Sequence, residues 1–147
     1  MEIPINYLAV LVSAVAAIVL GFLWFGPVFG KIWMREMGIS PDAVNEWKTD
    51  PIKKRKMNQS YAIQAVTALI MAYVLAHNVI FGVAYLDITG IAGGLQAGFW
   101  NWLGFAVPVS LGAVLWEGKS WKYWLITAGY YLVSLLIMGA ILASWTA

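Results

Sequence analysis

The sequence predicts an all-α, polytopic membrane protein. It reads as a four-helix bundle with a candidate tandem repeat of two two-helix units. Two observations predict this. Of the 147 residues, 62% are apolar and 11% are charged, less than half the roughly 25% charged share of a soluble domain; the mean hydropathy is +0.77. Four separate apolar runs are each long enough for a helix to cross a bilayer core, which takes about 20 residues. This composition excludes a soluble enzyme, a disordered tail and a disulfide scaffold. With no Cys there is no thiolate chemistry, and the redox compartment stays open.

The runs cover about residues 7–25, 61–81, 91–116 and 123–145 of a single domain, 1–147. None holds Asp, Glu, Lys or Arg in its interior, and Glu117 follows the third. They lack the period-two alternation of membrane strands. The opening Met1-Glu2-Ile3-Pro4 has no basic n-region, which argues against a cleaved signal peptide.

All nine basic residues fall in two loops. Lys31, Arg35, Lys48, Lys53, Lys54, Arg55 and Lys56 lie in a loop of about 26–60, and Lys119 and Lys122 between spans three and four. Basic residues near span ends stay cytoplasmic. The expected location is the cell inner (plasma) membrane, with both termini outside and both basic loops cytoplasmic. Within the large loop, Phe29, Ile32, Trp33 and Met37 recur at helical spacing. They predict an interfacial amphipathic helix ended by Gly38. Ser40-Pro41-Asp42 and Asp50-Pro51 are N-cap signals, so span two should begin as a helix at Pro51. Lys53 to Lys56 should face lipid headgroups. Nucleic acid is not an expected partner, since reading elements are missing.

A repeat is suggested by Leu69-Ile70-Met71 through Leu75-Ala76 in span two and Leu136-Ile137-Met138 through Leu142-Ala143 in span four. Leu20-Gly21 likewise resembles Leu111-Gly112, and Lys31-x-Trp33 resembles Lys122-x-Trp124. The two halves would share one orientation about an axis along the membrane normal.

Helical angle sorts each span into faces. Gly94, Gly98, Asn101, Pro108 and Gly112 form one stripe of span three, and Asn6, Ser13, Ala17, Gly21 and Trp24 one of span one. Gly129, Gly139, Ala140 and Ala143 line one side of span four; Thr127, Tyr131 and Ser134 line the other. Small residues let helices approach where lipid offers no hydrophobic drive, so Gly94, Gly98, Gly112, Gly21 and Gly139 are expected packing positions. Pro108 should kink span three.

Asn101 should point into the bundle, either bonded to another helix or touching a solute. Gln64 and Thr67, with Tyr61, form a second inward polar set. Thr67, Ser134, Asn101 and Tyr131 are expected to converge near mid-membrane, with Trp100 or Trp102 lining an aromatic pocket. Trp33, Trp116, Trp121, Trp124 and Trp145 sit at span ends, where aromatic belts belong. His77, with Glu2 and Asp87 on the same side, is a weak metal candidate without ligand spacing; no cofactor is expected.

Gly21-Phe22-Leu23-Trp24-Phe25-Gly26-Pro27-Val28-Phe29-Gly30-Lys31-Ile32-Trp33 and Leu115-Trp116-Glu117-Gly118-Lys119-Ser120, followed by a Tyr-rich last span, carry a resemblance. The chain resembles a family of small prokaryotic membrane proteins, domain of unknown function 1761. The resemblance implies a four-span architecture and carries no catalytic residues with it.

Two functional readings fit these features. One is a homo-oligomeric, channel-like or facilitated transporter of a small neutral or apolar solute, since no span interior offers a carboxylate for proton coupling. The other is a non-enzymatic accessory or scaffold protein that binds lipid or a partner membrane protein. An enzyme is not expected, because no acid–base pair, metal cluster or activated nucleophile is present in the sequence.

Overall fold

The computed structural model describes residues 4–87 and 89–145, which form helices and turns without a strand. Asn6 caps α1 (Tyr7–Leu23), its Oδ1 accepting from the amides of Leu8 and Ala9. A π-helical turn, Trp24–Val28, carries span one into α2 (Gly30–Glu36). Gly38 ends α2 at φ 72°. Its amide bonds Arg35 O, and the Ile39 amide bonds Met34 O, a Schellman stop that a left-handed glycine permits.

Ser40 caps α3 (Pro41–Thr49) and Asp50 caps α4 (Pro51–Leu86), with proline in the first turn of each. Span two is thus the upper part of a 36-residue helix, and it runs beyond the expected residue 81. Span three is α5 (Gly90–Asn101), a second π turn (Trp102–Ala106) and α6 (Val107–Leu115). The π turn lies just before Pro108, where a kink was expected. A π turn loosens the hydrogen-bond ladder where a proline supplies no amide. Pro27 lies inside the first π turn for the same reason. Ser120 caps α7 (Trp121–Ser144), the last span.

Four helices are therefore long and apolar enough to cross a membrane. α1 packs on α4 and α7, α5 packs on α7 and α4, and α4 touches α7. α7 thus touches all three of the other spans. Both odd-numbered spans carry a π turn that starts at Trp-x-Gly, and both even-numbered spans are unbroken.

The core is a seam of small residues: Ala9, Ala14 and Ala17 of α1, Ala68, Ala72 and Ala76 of α4, and Ala143 of α7, filled by Leu75 and Met138. The closest approach joins α5 to α7. A Cβ on Gly94 would lie 2.0 Å from Gly139 O, and one on Gly98 would lie 2.4 Å from Leu135 O. Gly21 faces Tyr130, whose hydroxyl would be 3.2 Å from an added Cβ. Gly112 departs from the expected packing role. A Cβ there meets only a Trp116 ring atom, at 3.9 Å, and no neighbouring helix.

Several tryptophans expected as interfacial or deep aromatics instead tie helices together. The indole N–H of Trp24 donates to Ile126 O at 2.9 Å, that of Trp102 to Ala128 O at 2.8 Å, and that of Trp124 to Ser110 Oγ at 2.9 Å. Trp116 (86% exposed) and Trp121 stay on the outside.

Candidate functional site

The polar residues expected to converge at mid-membrane do not form one site. Ser134 is fully buried in the core. Thr67 is exposed, and its hydroxyl donates to Gln64 O. The others divide between two clefts.

The smaller cleft, about 180 Å³, lies between α4 and α5 and is lined by Asn78, Gly82, Gln96, Trp100 and Asn101 among others. Asn78 Nδ2 donates to Asn101 Oδ1 at 2.9 Å, and Asn101 Nδ2 donates to Ala97 O at 2.8 Å. Asn101 is thus an interhelical tie, and Trp100 is 63% exposed beside it. Replacing Asn101 by Leu should cost about 1 kcal/mol, the usual value of such a bond in a membrane. Asn78→Leu should add little once Asn101 is gone. Detergent unfolding of both single variants and the double variant measures this, and additive losses would refute the pairing.

The larger cleft, about 860 Å³, opens toward the basic face between α1, α4 and α7, beneath α2 and α3. That size is toward the upper end of small-molecule sites. Its floor is Ile18, Phe22 and Phe25 of span one with Ala65 of α4. Tyr130 and Tyr131 of α7 close one wall, and Trp33, Met34, Val44 and Trp47 form the cover. Along α4 the lining descends through Lys53, Lys56, Met57, Ser60, Tyr61, Gln64 and Ala65, about 18 Å of helix rise. Gln64 and Tyr131, expected as solute contacts, are found here, together with Tyr61 and Gly21. Thr127, Trp33 and Trp47 belong to it too, although their sequence context signalled only helix face, belt and loop.

Local structure explains why the cleft exists. The π turn and Pro27 swing the chain from α1 into α2. An added Cβ on Gly30 would lie 2.5 Å from Phe25 O, so only glycine fits this corner. Phe25 packs edge-on against Trp33 and tilted against Tyr130, with ring centroids 5.4 and 5.1 Å apart. Tyr130 OH donates to Ala17 O at 3.1 Å, joining α7 to α1 at the cleft's inner end. Ser120 Oγ donates to Glu36 Oε2 at 2.6 Å and ties α2 to the start of α7. That hydrogen bond is the main reason the Glu36 carboxyl titrates below its ordinary value. α3 is tied to α4 by the ion pair of Glu46 with Lys53.

His77 lies elsewhere, its Nδ1 donating to Tyr73 O at 2.9 Å. Among the described residues no three His, Asp or Glu side chains gather. Glu2, its suggested companion, lies outside the described residues.

Four apolar helices, a small-residue core and a cleft at the basic face define an all-α, multi-pass membrane protein. The chain belongs to the family described as "Protein of unknown function (DUF1761)", whose model matches residues 8–143. No curated protein and no solved structure matches it.

Proposed function

We propose that this protein is a non-enzymatic membrane protein that binds a long-chain amphiphile in the larger cleft. The cleft faces the cytoplasmic leaflet of the cell membrane, with the termini outside. One observation carries the reading: a deep, open cleft whose floor is aliphatic and aromatic and whose upper wall turns progressively polar. Such a gradient matches a molecule with an apolar tail and a polar head. Binding is favoured over passage of a neutral solute because the two clefts lie on opposite sides of the buried band of Ala68, Ala72 and Leu75.

Filling the cleft tests the proposal. Ala65→Trp places an indole on its floor. Gly26→Leu adds bulk where a Cβ meets nothing within 4 Å, and so avoids a packing clash. Both variants should retain the native circular dichroism spectrum and lose most co-purified amphiphile in native mass spectra. Wild-type protein that carries none, or folded variants that carry as much as wild type, would refute it.

A further inference from the structure

We infer that the ligand is an anionic glycerophospholipid, with its phosphate at Lys48 and Lys56 and an ester carbonyl at Thr127. This inference rests on the binding role proposed above. Three lysines line the mouth of the cleft: Lys48 of α3, and Lys53 and Lys56 of α4. Lys53 is neutralised by Glu46, whereas Lys48 and Lys56 form no ion pair among the described residues. Two free ammonium groups on facing helices call for a net negative headgroup, which a zwitterionic lipid does not supply. The neighbouring Lys54 and Arg55 do not line the cleft.

Below the lysines the lining changes character. Thr127 lines the cleft, and its Oγ1, buried behind the lining surface, has no hydrogen-bond partner. A hydroxyl in an apolar setting is costly unless it bonds. Rotation of the side chain toward the cleft and donation to a lipid ester carbonyl would satisfy it, and Ser60, Gln64 and Tyr131 line the same cleft. Further in, the floor of Ile18, Phe22, Phe25 and Ala65 offers apolar surface to an acyl chain. The order of cation, hydroxyl and hydrocarbon is the order of phosphate, ester and chain in a glycerophospholipid.

Protein reconstituted in nanodiscs of equal phosphatidylcholine and phosphatidylglycerol, then released for native mass spectrometry, tests this. Phosphatidylglycerol should be enriched among retained lipids about fivefold per free lysine, roughly 25-fold for the pair. Lys48→Gln with Lys56→Gln should bring the ratio close to that of the bilayer. Lys54→Gln with Arg55→Gln removes the same charge outside the cleft and should keep the enrichment. Equal loss in both double variants would overturn the inference, since general surface charge would then suffice. Retention of both lipids at the bilayer ratio, still abolished by Ala65→Trp, would overturn the anionic headgroup and leave the cleft standing. Lipid retained by Ala65→Trp and Gly26→Leu as fully as by wild type would overturn both.

Discussion

Gly94→Ala is expected to destabilise the protein by roughly 3 kcal/mol or more, near the upper end for a single methyl group. The new Cβ would sit 2.0 Å from Gly139 O, inside van der Waals contact with a backbone atom that has no rotamer to escape into. α5 and α7 would have to separate along their closest contact. In lipid nothing compensates, because helix association depends on close packing. Gly98→Ala should behave similarly, its Cβ lying 2.4 Å from Leu135 O. Gly82→Ala is the control: an added Cβ meets nothing within 4 Å, so helix propensity alone should leave it neutral or up to about 1 kcal/mol more stable. Unfolding in mixed micelles, followed by circular dichroism, reads all three. Equal midpoints for Gly94→Ala and Gly82→Ala would refute the α5–α7 contact.

The second large effect is expected from Trp24→Phe combined with Trp102→Phe. Each change deletes one indole N–H that bonds an α7 carbonyl, at Ile126 and Ala128. Each should cost about 1 kcal/mol. The two carbonyls lie two residues apart on α7 and accept from opposite pairs of the bundle, so the losses should nearly add, to about 2 kcal/mol. The same unfolding assay gives the magnitude. Tryptophan quenching by lipid-soluble bromine should also change little on removing either residue, since both rings are partly buried. A double variant as stable as wild type would show that the π turns hold their places without these anchors.

The segment that carries the family resemblance acquires a structural meaning here. Gly21 faces Tyr130, Trp24 reaches Ile126, Pro27 sits in the π turn, Gly30 fits against Phe25 O, and Trp33 packs on Phe25. In the second segment Gly118 takes φ 69°, and Ser120 both caps α7 and bonds Glu36. Both segments build the corner that opens the cleft.

Much of the architecture was legible in residues alone. The number of spans follows from run length and the absence of interior charge. The helix starts at Pro41 and Pro51 and the stop at Gly38 follow from short-range bonding of Ser40, Asp50 and a left-handed glycine. These features depend on neighbours a few residues away, so a linear reading reaches them. Two placements show what it did not reach. Gly94, Gly98 and Gly112 share one stripe on a straight helix, but the π turn at Trp102–Ala106 inserts about one residue and rotates the helix beyond it by about 100°. Gly112 therefore leaves the packing face. Asn101, Thr67, Ser134 and Tyr131 can each be assigned to a face, but a face specifies neither depth nor partner. Only the packed bundle pairs Asn101 with Asn78 and brings Gln64, Thr127, Tyr131, Lys48 and Lys56 around one cleft. Composition and local bonding decide that these helices form and cross a membrane. Close contact between glycine backbones and the turning of two helices at π turns decide where they meet, and so where the cleft lies.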